Sequence, residues 1–141
     1  MSVSSGQGVL DVAFKITDAS ILAAAIIKGD GTNTTNAERV GTVATAETDK
    51  VIGVTLEPTT AANQVIPVRL AGIARLKVDG NAAAIDIGDS ICAGAAGVGH
   101  KSTTADAAEQ WAIGYALEPS AADGDIIDVL IDRHLIVKGT A

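Results

Sequence analysis

The 141 residues carry 10 Lys and Arg against 17 Asp and Glu, a formal charge of −7, with one Cys, one Phe, one Trp and one Tyr. That charge argues against holding nucleic-acid phosphates or anionic membranes, both of which need a basic surface. The single cysteine, Cys92, rules out an intrachain disulfide and a Cys-based zinc site. The length suits one domain. With 48% hydrophobic residues a core can form, but from Ala, Val, Ile and Leu. Each of these buries less area than an aromatic, so assembly is a natural source of extra stability.

MSVSSGQG (residues 1–8) reads as a flexible tail, with neither the basic start nor the apolar run of a secretory signal. LDVAFKIT follows, with Leu10, Val12, Phe14 and Ile16 on one side and Asp11, Ala13, Lys15 and Thr17 on the other, a half-buried strand pattern. Residues 20–28, SILAAAIIK, fit a capped short helix or a buried strand, and the strand is preferred. The longest apolar run, residues 21–27, is too short for the roughly 20 residues of a membrane helix. These features predict a soluble protein made in the cytoplasm.

IGVTLEP (52–58) then returns as IGYALEP (113–119). Shifting the chain by 61 residues pairs Gly53, Glu57 and Pro58 with Gly114, Glu118 and Pro119. The match continues through TTAAN and SAADG into VIPVRL and IIDVLI, so that 52–70 repeats as 113–131. Each copy has two alternating runs around a Pro-containing turn, which predicts a β-hairpin. The shift keeps facing: Ile52, Val54 and Leu56 map onto Ile113, Tyr115 and Leu117. A one-residue slip would turn every side chain over, so the retained parity marks a structural duplication.

In the continuation of the first hairpin, Val68, Leu70, Gly72, Ala74, Leu76 and Val78 face one way, with Arg69, Arg75, Lys77 and Asp79 opposite. Pro67 cannot donate to a central ladder and predicts an edge or a bulge there. Between the copies lie a strand around 85–92, a glycine-rich turn and a helical turn near 105–110. Two related hairpins joined by such links suggest a small closed or nearly closed β structure.

Three patterns suggest chemistry. GAAGVGHKST (94–103) approaches a phosphate-binding loop, but His100 interrupts the Gly-Lys junction that the motif requires. A glycine-rich turn is the better reading. Asp123, Asp125, Asp128 and Asp132 could offer oxygens to calcium, yet the ligand order is wrong and a solvated face explains them. Cys92, His100, His134, Glu57 and Glu118 are the candidates for catalysis. Cys92 sits in an apolar run, His134 shares a face with Asp128 and Asp132, and Glu57 and Glu118 open the same turn twice. None of this makes an enzyme, and no cofactor or metal is expected.

The phrases VIGVTLEPTTAANQVIPVRLAGIARLKV, IDIGDSICAGAAGVGHKST and AIGYALEPSAADGDIIDVLI resemble the head-decoration (capsid cement) proteins of tailed bacteriophages, over roughly residues 20–132. The resemblance implies a mainly β domain of barrel or β-tulip type with little helix. It implies homotrimers at three-fold and quasi-three-fold positions on the outside of the expanded capsid, bracing the major capsid protein against DNA pressure. An N-terminal arm reaches the shell in such proteins. Here the arm would be residues 1–17, with Val9, Leu10, Val12, Phe14 and Ile16 as adhesive positions, and 18–141 the decoration domain. An arm strand can dock by β-augmentation. The implied location is the virion's outer surface, with no nucleic-acid or membrane partner. The rival reading is a small soluble β-barrel binding module unrelated to capsids.

Overall fold

The apolar alternation becomes nine strands in the computed structural model, which describes residues 8–32, 38–102 and 109–136. They are β1 (Leu10–Ile16), β2 (Ile26–Gly29), β3 (Val40–Val43), β4 (Val51–Thr55), β5 (Gln64–Asp79), β6 (Ser90–Ala93), β7 (Gly99–Lys101), β8 (Gln110–Ala116) and β9 (Asp123–Ile136), with one 3-10 turn at Ala95–Gly97. The fold is mainly β, as expected. Neighbours run β1-β3-β2-β4-β5-β7-β6-β8-β9, and two further pairings, β1 with β5 and β5 with β9, close the sheet.

Closure produces two five-stranded circuits that share one strand. Barrel 1 consists of β1, β3, β2, β4 and the first half of β5; barrel 2 consists of the second half of β5 with β7, β6, β8 and β9. The 16-residue β5 changes partner between Ala71, opposite Leu10 of β1, and Gly72, opposite Ile131 of β9. Gly72 has φ +96°, and a Cβ there would press on the Gly8 carbonyl oxygen at 2.8 Å. Glycine takes this backbone shape without the steric cost other residues meet.

The duplication therefore extends well beyond the two hairpins. The pair Val54–Arg69 of β4–β5 becomes Tyr115–Leu130 of β8–β9, and Thr55–Val68 becomes Ala116–Val129. A shift of 62 carries β1 onto the second half of β5, so Phe14–Ile66 becomes Leu76–Ile127. A shift of 64 carries β2 onto β6: Ile26–Val54 and Ile27–Gly53 become Ser90–Tyr115 and Ile91–Gly114, with a bulge after the second pair in both copies. Insertions and deletions in the loops account for the changing shift. One core follows the other. Phe14, Ile16, Ile21, Ile27, Ile66 and Val68, with Val12, Val43, Ile52 and Leu70 packed on them, fill barrel 1. Nine of their ten counterparts belong to the second cluster: Leu76, Val78, Ile85, Ile91, Ile127, Val129, Ala74, Ile113 and Ile131. The tenth, opposite Val43, is Lys101. Ile26, Ala44, Val51 and Val54 of barrel 1 also join the second cluster, so the barrels are packed together as well as covalently joined.

Several expectations need correction. The closed β structure that was expected consists of two circuits, because each hairpin recruits three more strands of its own copy. Residues 10–16 are strand β1, paired with both β5 and β3, and not part of a free arm. Their alternation marks a strand whose apolar face fills its own barrel. Pro67 pairs with Ala13 of β1 on one side and on the other stands at a local edge of the sheet, as expected. Its ladder with β4 has run out, with only the Leu56 N–H reaching the Pro67 carbonyl at 3.1 Å. At the matching place the Asp128 N–H is taken by the Glu118 side chain at 2.7 Å, so no ladder bond is lost to proline. Of residues 20–28 only the end is strand, since Ala24 has φ +63°. Ile85 makes an isolated bridge to Ser120. The predicted helical turn near 105–110 lies mostly outside the described residues, and Gln110 opens β8.

Candidate functional site

Among the five predicted adhesive positions, Phe14 and Ile16 are 8% and 0% exposed in the core of barrel 1, and Val12 is half-buried against them. Phe14 and Ile16 hold the fold together and are not available to a partner. Val9 and Leu10 are exposed, at 38% and 52%. They stand at the end of barrel 1 where β1 meets Gly72. Next to them, Arg69 grips Asp11 with Nε–Oδ1 at 2.8 Å and Nη2–Oδ2 at 3.0 Å. This two-pronged hydrogen bond holds the Asp11 carboxyl below the usual carboxylate range.

The repeated phrase has a structural role. A Cβ on Gly53 would collide with the Arg69 carbonyl oxygen, and one on Gly114 with the Leu130 carbonyl oxygen. The same shift of 61 relates both partners, so each glycine admits a close approach of β5 or β9. Pro58 and Pro119 are exposed in the turns. Glu118 accepts the Asp128 N–H and lies 3.9 Å from Arg75. Glu57 is exposed and its counterpart donor is the nitrogen of Pro67, which has no hydrogen to give. The two glutamates therefore serve separate barrels.

The remaining chemical candidates are dispersed. Gly94 to Lys101 form the tight β6–β7 hairpin, where a Cβ on Gly97 would press on the backbone of Ile26 at 2.7 Å. His100 reaches Glu47 at 3.5 Å and Lys101 reaches Asp89 at 3.5 Å. Asp125 accepts the Ser120 hydroxyl and Asp128 pairs with Arg75, so the four acids are spread along β9 and its partners. No group of three His, Cys, Asp or Glu among the described residues could hold a metal ion. Cys92 is buried in β6. No helix among the described residues is long and apolar enough to cross a membrane.

What pattern-reading missed is an outward row across barrel 2: Ile73, Leu130, Tyr115 and Ser90, neighbours on β5, β9, β8 and β6. Ile73 and Leu130 are 49% and 39% exposed. His134 bonds Ser90 at 3.1 Å, has its Nδ1 2.7 Å from the Asp132 carbonyl, and stacks on Tyr115 at 4.7 Å. The matching row in barrel 1 is Asp11, Arg69, Val54 and Ile26. One sequence signal was present: Ile73 is a large apolar residue on the odd-numbered side of β5, which carries Arg69, Arg75, Lys77 and Asp79. Only the register places Leu130 beside it. Such a row suits contact between surfaces.

No family model matches the chain, and no curated protein matches it. Among solved structures, the chain is similar to the N base of the head fiber gp8.5 of bacteriophage phi29. The likeness has a TM-score of 0.60 at 14% identity and covers 88% of this chain and 94% of that one. At this identity it establishes a shared fold.

Proposed function

We propose that this chain is a structural virion protein of a tailed phage, which binds the outer surface of the expanded capsid as a homotrimer. There it contacts the major capsid protein and stabilises the head against DNA pressure. The observation that carries the reading is the fold, shared over nearly the whole chain with the base of a phage head fiber. The resemblance of the repeated phrases to capsid cement proteins supports it from an independent direction. In this reading the protein is not an enzyme, needs no cofactor, and has neither nucleic-acid nor membrane partners. Of the original adhesive positions, Val9 and Leu10 keep that role.

The test is co-sedimentation of the purified chain with expanded and unexpanded shells of its source phage. A chain starting at Gly8 and a Val9→Asp, Leu10→Asp variant run alongside. Saturable binding to expanded shells, weakened by the double variant, supports the reading and the assignment of these two residues. Binding that survives both changes keeps the function and moves the contact elsewhere. Absence of binding to either shell favours a small soluble β-barrel binding module unrelated to capsids.

A further inference from the structure

Barrel 1 meets barrel 2 through a defined face. Ile26 and Val54 are fully buried and Val51 is 3% exposed, all within the core cluster of barrel 2. The repeat places Ser90, Tyr115 and Ala112 at the same positions on barrel 2, through the paired registers of β2–β4 and β6–β8. Within the described chain no third barrel covers that face; Ser90 and Tyr115 are half-exposed there, while Ala112 is fully buried. Their row continues into Leu130 and Ile73, where barrel 1 has the ion-paired Arg69 and Asp11.

The opposite end shows the converse. Ala74 and Ile131 of barrel 2, 2% and 7% exposed, share a cluster with the contacting face of barrel 1. Their counterparts, Val12 and Leu70, are half-buried at an end of barrel 1 that also exposes Val9 and Leu10. Among the described residues, each barrel thus has a partly uncovered version of a surface that is covered in the other.

We propose that these two surfaces meet between copies of this chain. The Tyr115–Leu130–Ile73 face of barrel 2 in one copy takes the Val9–Leu10–Val12–Leu70 end of barrel 1 in the next, continuing the packing between the barrels within a chain. The occupant follows from the duplication, since the chain already contains one barrel pair joined through this type of contact. Such an interface is head-to-tail, and the rotation between successive barrels decides whether it closes into a ring. The inference stands on the repeat and not on capsid binding, and it gives Val9 and Leu10 a contact between copies in place of the shell contact proposed above, so the two assignments of these residues are alternatives.

Sedimentation velocity of the isolated full-length chain over a concentration series tests it. The expected result is mass-action association, weakened about tenfold or more by Leu130→Arg or Tyr115→Arg on one face and by Leu10→Arg on the other. Leu130 and Leu10 are exposed, so the variants at these positions should keep the wild-type circular dichroism and melting temperature. Mixing Leu130→Arg with Leu10→Arg should restore a 1:1 pair and nothing larger, because each retains the surface the other lacks. A wild-type chain that stays monomeric at every concentration overturns the proposal and leaves the shell-binding test untouched. Association unaffected by the folded variants, or a mixture that forms no pair, also overturns it.

Discussion

Gly114 on β8 and Leu130 on β9 approach so closely that a Cβ on the glycine would overlap the leucine's carbonyl oxygen. Gly53 stands in the same relation to Arg69, and the pairs Val54–Arg69 and Tyr115–Leu130 hold the two sites in one register. Gly53→Ala and Gly114→Ala must push backbone aside, which a flexible side chain could not relieve. Each should cost about 1–3 kcal/mol, as overpacking does, with Gly114→Ala the more damaging. Thermal unfolding followed by circular dichroism measures this, and unchanged melting of both variants would refute the close-approach argument.

Because β5 belongs to both barrels and barrel 1 residues enter the second cluster, the chain should unfold as one unit. Ile27→Ala in barrel 1 and Leu76→Ala in barrel 2 remove fully buried side chains. Each should cost about 2–5 kcal/mol and shift one shared calorimetric transition. Two separated transitions, with each variant moving only one, would show that the barrels are independent.

The two repeated glutamates should differ. Glu118→Ala loses the acceptor for the Asp128 N–H and should cost about 1 kcal/mol, the usual worth of one hydrogen bond. Glu57→Ala, whose counterpart donor position is the hydrogen-less nitrogen of Pro67, should change stability by less than about 0.5 kcal/mol. Urea midpoints for the pair decide the matter; equal losses would contradict the asymmetry.

Asp49 ties the β3–β4 loop to β2. Partial burial alone would raise its carboxyl pKa, but the Thr45 N–H at 2.8 Å, Lys28 Nζ at 3.2 Å and the Ala46 N–H at 3.1 Å outweigh that and lower it. A depressed folded pKa adds stability that is present above the unfolded value of about 3.9 and is lost as pH falls through the folded value. Asp49→Asn should therefore be less stable than the parent at pH 7, with the gap closing in acid. A gap that stays constant from neutral pH to below about 3 would reject this account.

Much of this architecture was legible locally. The period-two alternation around Phe14, along β5 and across the two LEP phrases identified strands because a strand presents every second side chain to one face. The 61-residue echo identified a duplication because its parity matched. The burial of Phe14 and Ile16 was equally visible as an apolar face; its destination was not, since a strand's apolar side fits its own core or a partner's alike. The echo appeared confined to hairpins because β1, β2 and β3 have diverged in residue identity and shifted by loop insertions. Ile27 and Ile91, or Phe14 and Leu76, are equivalent only once pairing is known.

The sequence by itself determined the strand class, the acidic surface, the aromatic-poor core and the positions where glycine had to recur. Each of these rests on short-range geometry or on totals. Tertiary structure alone decided that a single 16-residue strand would serve two barrels. It also decided that Ile73 would lie beside Leu130, and that Val54 would be covered while Tyr115 stayed half-exposed. Those outcomes depend on which distant strands pair and in what register, and pairing is fixed by closing the whole sheet, a constraint that no local stretch of sequence contains.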